Sequence, residues 1–145
     1  MADEREPQNL AETPADEQGA DAELIELAGR IFGAARSGDQ AALAAFLDAG
    51  TPANLSNDRG DTLLMLAAYH GHAEAVRVLL AHGADPDRAN DRGQTPLAGA
   101  VFKGADDVLD ALLEGGADPT AGQPSAVVTA QMFGKDDLLA RFAAR

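Results

Sequence analysis

The sequence predicts an all-α fold, a solenoid of about four helix-turn-helix repeats with hairpin turns between them, preceded by a disordered acidic tail. The stretch NDRGDTLLMLAAYHGHAEAVRVLLAHGADPDRA (57–89) is followed at once by NDRGQTPLAGAVFKGADDVLDALLEGGADPTA, and the two align without a gap at a shift of 33 residues, Asp58 falling on Asp91. A fixed period of that size marks an array of small units, each too small to bury its own apolar face and each covered by the next. Inside each unit Leu64, Ala67 and Ala68, then Val76, Leu79 and Leu80, recur at helical spacing in runs too short to be stable in water unless packed, so two short helices must pair. The first 21 residues show almost no such periodicity.

In chain order, residues 1–21 come first, with seven acids, one base (Arg5), Pro7, Pro14, Gly19 and no aromatic. Such a segment cannot bury enough surface to offset its ordering entropy and is expected to be a disordered acidic tail. It lacks the basic start and apolar run of a secretory signal, and no stretch elsewhere approaches the ~20 apolar residues of a membrane span.

The folded domain is expected over residues 22–145, with repeats at about 22–56, 57–89, 90–122 and 123–145. In the first, Ala34, Ala35, Gly38, Leu43, Phe46, Leu47 and Gly50 fall on the pattern of the second, and Asp39 is placed to N-cap its second helix. In the two central repeats Thr62 and Thr95 are placed as N-caps of the first helices, with Pro96 at the N1 position it favours. Gly71 and Gly104 suit the left-handed end of the first helices, and Gly83 and Gly116 that of the second. Asn57-Asp58-Arg59-Gly60 and Asn90-Asp91-Arg92-Gly93 carry the chemistry of tight hairpin turns. In the last repeat Ala130, Gly134, Leu138 and Phe142 match at a shift of 30, so its hairpin has lost three residues. The outer repeats are expected to be caps, since one face of each meets water.

Net charge is −13, of which the tail holds −6. That argues against nucleic acid, whose phosphates are bound by clustered Lys and Arg, and from charge alone it favours a basic protein partner. Alternatively the acidity only keeps the protein soluble. The absence of cysteine excludes disulfides and thiolate metal sites and fits a reducing cytoplasm. His70 and His72 are two residues apart across a helix end, off a common face, and with His82 they complete no ligand set, so no metal and no cofactor is expected. Ser37, Ser56 and Ser125 have no histidine partner in any motif, and the pairs Asp106-Asp107 and Asp136-Asp137 start second helices, where carboxylates favour the dipole. No glycine-rich phosphate loop and no catalytic constellation emerges, so an enzyme is not expected.

The letters within the period resemble the ankyrin repeat: a D-x-x-G-x-T-P-L-H turn and first helix, A-A-x-x-G-H, a second helix ending V-x-x-L-L, then G-A-D. The first copy matches at Gly60, Thr62, Leu64, Ala67, Ala68, Gly71, His72, Val76, Leu79, Leu80, Gly83, Ala84 and Asp85. The second matches at Gly93, Thr95, Pro96, Leu97, Ala100, Gly104, Leu109, Leu112, Leu113, Gly116, Ala117 and Asp118. Leu63 departs from the family's proline, and Met65 and Ala98 from its histidine, removing a side-chain contact that usually stabilises the turn. His72 falls on the family's G-H position, a structural role at the start of the second helix.

The resemblance implies binding of a protein on a concave surface made of hairpin tips and first-helix ends. Here the first-helix ends are Arg36 and Ser37, Tyr69 and His70, Phe102 and Lys103, Met132 and Phe133, and the tips are Asp58, Arg59, Asp61, Asp91, Arg92 and Gln94. Three of the chain's six aromatic residues fall in this row, and interface hot spots are enriched in aromatic anchors. Phe102 or Phe133 could instead turn inward to cover a gap, whereas the Tyr69 hydroxyl calls for water or a partner. The expected function is a non-enzymatic, monomeric, cytoplasmic protein-binding module. The alternative is an accessory subunit or inhibitor that acts through the acidic tail.

Overall fold

A computed structural model describes residues 15–144, and among them it contains eight α-helices and no strand: α1 (Ala15–Ser37), α2 (Gln40–Asp48), α3 (Leu63–Tyr69), α4 (Ala73–Ala81), α5 (Pro96–Lys103), α6 (Asp106–Glu114), α7 (Ala126–Met132) and α8 (Asp136–Ala143). The chain divides into two compact units, Met1–Ile31 and Phe32–Arg145. The described part of the first is the opening stretch of α1, in which Glu26 and Arg30 pair across 3.6 Å and Leu24 and Ile25 lie exposed. The acidic tail expected over 1–21 falls outside the described residues as far as residue 14, and α1 takes in the rest of that stretch from Ala15.

The second unit stacks helix pairs in two layers. α3 packs on α5 and α5 on α7 in one layer, α2 on α4 and α4 on α6 in the other, and α3·α4, α5·α6 and α7·α8 join within repeats. Each helix is seven to nine residues long past α1, too short to stand alone, so its stability comes from these nearest-neighbour faces. Their core is fully buried Leu64, Val76, Leu79, Leu97, Leu109 and Leu112, with Ala67, Ala68 and Ala100 at zero exposure where helices approach most closely.

Side-chain caps define where α2, α3, α5 and α7 start. Thr62 and Thr95 accept the backbone N–H of Met65 and Ala98 at 3.1 and 3.3 Å, and Asp39 accepts that of Ala42 at 3.1 Å. Ser125, which falls on Thr95 at the shift of 30, does the same for Val128 at 3.1 Å. The three-residue reach from oxygen to N–H is the geometry that satisfies one orphan donor of a first turn.

The hairpins are built by asparagine. Asn57 Oδ1 accepts the N–H of Arg59 and of Asp61, both at 3.0 Å, while the Asn57 N–H donates to Asp61 O at 3.0 Å. Asn90 repeats these bonds with Arg92 and Gln94. Successive hairpins are then joined: Asp91 N–H donates to Arg59 O at 3.0 Å, Gln123 N–H to Gly93 O at 2.9 Å, and Asn90 Nδ2 to Asp61 Oδ1 at 2.8 Å. These bonds order the tips relative to one another, which a surface built from tips requires.

Candidate functional site

The ends of α3, α5 and α7 bring their side chains together on one side of the second unit. Lys103 Nζ lies 4.7 Å from the centre of the Tyr69 ring, the His70 ring meets Tyr69 edge-on at 5.6 Å, and Phe102 meets Phe133 at 5.7 Å with the planes inclined by 63°. Neither phenylalanine turns inward: Phe102 is 60 % exposed, Phe133 50 % and Met132 68 %. Tyr69, expected to be the most open, is the least so at 40 %, because Lys103 and His70 both lie against its ring. The edge contact between the two phenylalanines lets each shelter part of the other without either entering the core.

Two cavities of about 390 Å³ each open side by side along this surface. One is apolar, with Tyr69, Phe102, Met132 and Phe133 as walls over a floor that includes Met65, Ala98 and Gly99. The other is polar and lies among the tips Asp58, Arg59, Asp61, Asp91, Arg92 and Gln94. Met65, Tyr69 and Gln94 border both, so the two form one groove. Arg36, His70 and Lys103 line neither cavity. Arg36 is exposed and its carbonyl accepts the Nε2–H of His72 at 2.8 Å, which gives His72 its structural role at the N-cap position of α4.

Met65, Ala98 and Gly99 were not anticipated as groove residues. The signal for two of them was present: Met65 and Ala98 each precede a row residue, Tyr69 or Phe102, by four positions and share its helix face. They are the residues that replace the histidine of the resembled pattern. Both are buried, at 5 and 7 % exposure, and the replacement turns what would be a polar floor apolar.

The charge of the groove differs from that of the surface around it. Asp58, Asp61 and Asp91 line it with Arg59 and Arg92, three against two, Arg59 Nε lying 3.8 Å from Asp61 Oδ2, and Lys103 stands just outside it. The other ionisable groups of residues 32–144 are twelve carboxylates and five cations, leaving −7. The acidity of the folded part therefore lies mostly outside the groove. Among the described residues no group of three or more His, Asp or Glu is arranged to hold a metal ion, and no helix is long and apolar enough to cross a membrane.

Residues 31–123 match the family model described as ankyrin repeats in three copies. An ankyrin repeat protein of Pseudomonas aeruginosa is 48 % identical over 54 residues, which are 37 % of this chain and 32 % of that protein. The crystal structure of the human ASB11 ankyrin repeat domain is similar with a TM-score of 0.59 at 30 % identity, over 61 % of this chain and 40 % of that one. The chain thus spans about a third of the length of the bacterial relative and two fifths of the human domain.

Proposed function

This chain belongs to the ankyrin repeat family, whose repeats are protein–protein interaction modules, and we propose that it is a non-enzymatic module that captures a partner protein in the groove between the tips and the first-helix ends. The observation that carries this reading is the exposed row of Tyr69, Phe102, Met132 and Phe133 over one apolar cavity. Large apolar side chains gathered on a monomer surface are characteristic of interaction sites, and aromatic residues dominate their energetics. Partner contacts are assigned to these residues, with Arg36, His70 and Lys103 beside them and Asp58, Arg59, Asp61, Asp91, Arg92 and Gln94 as a polar rim. The module acts as a monomer in the cytoplasm, and its partner is a protein and not a nucleic acid.

The double substitution Tyr69→Ala with Phe102→Ala tests the site. Immobilised variant should lose capture of the partner from extract of the native cell while its helical circular dichroism stays unchanged. Capture at the wild-type level would remove the groove from consideration.

A second reading places the activity in the acidic residues 1–21, seven acids against one base, acting as a competitor for the basic site of an enzyme or nucleic-acid-binding partner. The near-neutral groove favours it for any partner chosen by positive charge, since the groove supplies little net negative field. Deleting residues 1–21 separates the readings: loss of capture with the groove intact points to the tail, and retained capture to the groove.

A further inference from the structure

α5 carries a glycine in its interior that its backbone does not need. Gly99 is the fourth residue of Pro96–Lys103 and does not belong to the positive-φ glycines of the chain. A Cβ placed on it would meet Met65 Cε at 3.5 Å and Tyr69 Cδ1 at 3.9 Å, ordinary van der Waals contacts. Glycine inside a helix is less stable than alanine, through backbone entropy and lost packing. Neither strain nor crowding accounts for it. The equivalent positions one repeat earlier, at a shift of 33, and one repeat later, at a shift of 30, are Leu66 and Thr129, while a further shift of 33 gives Gly33 in the first repeat; the first repeat does not line the groove, so among the three repeats that do, this one alone lacks the side chain.

What the missing side chain does is leave a space. Gly99 lies in the floor of the apolar cavity of about 390 Å³, beneath Tyr69, Phe102, Met132 and Phe133. That cavity has no charged residue in its lining. A charged side chain entering it would lose its hydration without gaining a counter-ion there. A basic one would also approach Lys103, whose ammonium already lies against Tyr69.

We propose that this cup is a specificity pocket for one large uncharged apolar side chain, aromatic or aliphatic, presented by a segment of the partner protein, and that Gly99 is the residue that admits it. The inference rests on the groove reading given above and names the chemistry of what the groove takes. The uncharged lining of this cavity, within a surface of −7, supports an uncharged anchor over a basic one.

The test is selection from a displayed library of random peptides on the full chain, followed by affinity measurement of the enriched peptides on four proteins: wild type, Gly99→Ala, Gly99→Leu, and Tyr69→Ala with Phe102→Ala. Peptides enriched on the wild type should share one position held by Phe, Tyr, Leu, Ile or Met, and placing Ala or Lys there should weaken binding at least about tenfold, the scale of emptying a hydrophobic pocket. Gly99→Leu, which restores the side chain found at Leu66, should weaken the same peptides by a comparable factor. Gly99→Ala should bind less tightly than wild type while melting at a higher temperature, a combination that a purely structural glycine would not give, and it decides the matter if the leucine variant fails to fold. An anchor position held by Lys, Arg, Asp or Glu, or undiminished binding by both Gly99 variants, overturns the cup while leaving the groove standing. Equal binding by the Tyr69, Phe102 double variant, or a selection that enriches nothing, counts against the groove itself.

Discussion

The ammonium of Lys103 lies 4.7 Å from the centre of the Tyr69 ring, so the last residue of α5 covers the last residue of α3. This contact joins two successive repeats on the groove side and explains why the ring is less exposed than the phenylalanines beyond it. At an exposed site such a pair contributes about 0.5–1 kcal/mol, so Lys103→Gln should lower stability by no more than that. The sharper readout is optical. Tyr69 is the chain's only tyrosine and there is no tryptophan, so intrinsic fluorescence reports on this ring alone. Lys103→Gln should raise its quenching by acrylamide, and Lys103→Arg should leave it near the wild-type value. An unchanged quenching constant in the glutamine variant would show that the ammonium does not shelter the ring.

Gly60 and Gly71 share nearly the same left-handed backbone, with φ of 77° and 80°, but not the same surroundings. A Cβ on Gly71 meets nothing within 4 Å, whereas one on Gly60 would lie 2.6 Å from Asp91 Oδ1 and 2.9 Å from the Asp91 backbone nitrogen. That nitrogen is the one bonded to Arg59 O between hairpins. Gly71→Ala should therefore show only the left-handed penalty of about 1–2 kcal/mol. Gly60→Ala should lose more, by roughly a further 1 kcal/mol or greater, because the crowding displaces a backbone hydrogen bond as well. Urea melts of the two variants with equal slopes would make the comparison direct, and equal losses would mean that the hairpin yields without strain.

How far these features could be read in advance depended on whether they were local. The caps at Asp39, Thr62 and Thr95 and the glycine helix ends are set by residues three or four apart, and the 33-residue period is a match of letters between copies, so the sequence states all of them directly. Ser125 falls on Thr95 at the shift of 30 found for the last repeat, so its cap is equally legible once that shorter shift is applied to the start of the helix as well as to its end. The outward turn of Phe102 and Phe133 was not decidable, since it rests on their contact with each other across 31 positions of chain. The low net charge of the groove was likewise invisible: total charge is a sum, and only the packing of α3, α5 and α7 decides which carboxylates face away. Gly99 is, in the sequence, one small residue of a short helix, and its place in the floor of the apolar cavity is visible only with Met65 and Tyr69 beside it.

Asp118 ends the G-A-D of its repeat and is held by Thr120, whose N–H and hydroxyl both donate to Asp118 Oδ1, at 2.9 and 2.7 Å. The hydroxyl bond, and then the backbone bond, hold the carboxyl below its ordinary value of 3.8. A depressed carboxylate contributes stability that is present above 3.8 and lost as pH falls through the lower folded value. Thr120→Val removes the stronger of the two donors and keeps the backbone one. The Asp118 titration, followed by the carboxyl carbon in nuclear magnetic resonance, should move up toward 3.8 in that variant. A titration that stays in place would assign the depression to the backbone alone.

His82 gives the opposite dependence. Its Nε2 lies 2.9 Å from Asp48 Oδ1 and its Nδ1 lies 2.8 Å from Val78 O, and since a carboxylate and a carbonyl only accept, both bonds are made together when both ring nitrogens carry protons. The Asp48 bond first, and the Val78 bond second, raise the pKa above the ordinary 6.5. A raised histidine contributes stability that is fully present below 6.5 and is lost as pH rises through the folded value. The pair also joins α2 to the end of α4, one repeat to the next, so the loss is felt by the stack. The melting temperature of the wild type should fall between about pH 6 and 8, where histidine titrates, and Asp48→Ala should flatten that fall while leaving the acid-side behaviour unchanged. Raising the salt concentration should flatten it too, because the pair is open to solvent and screened. A slope that persists in Asp48→Ala would show that the Asp48 bond is not its source.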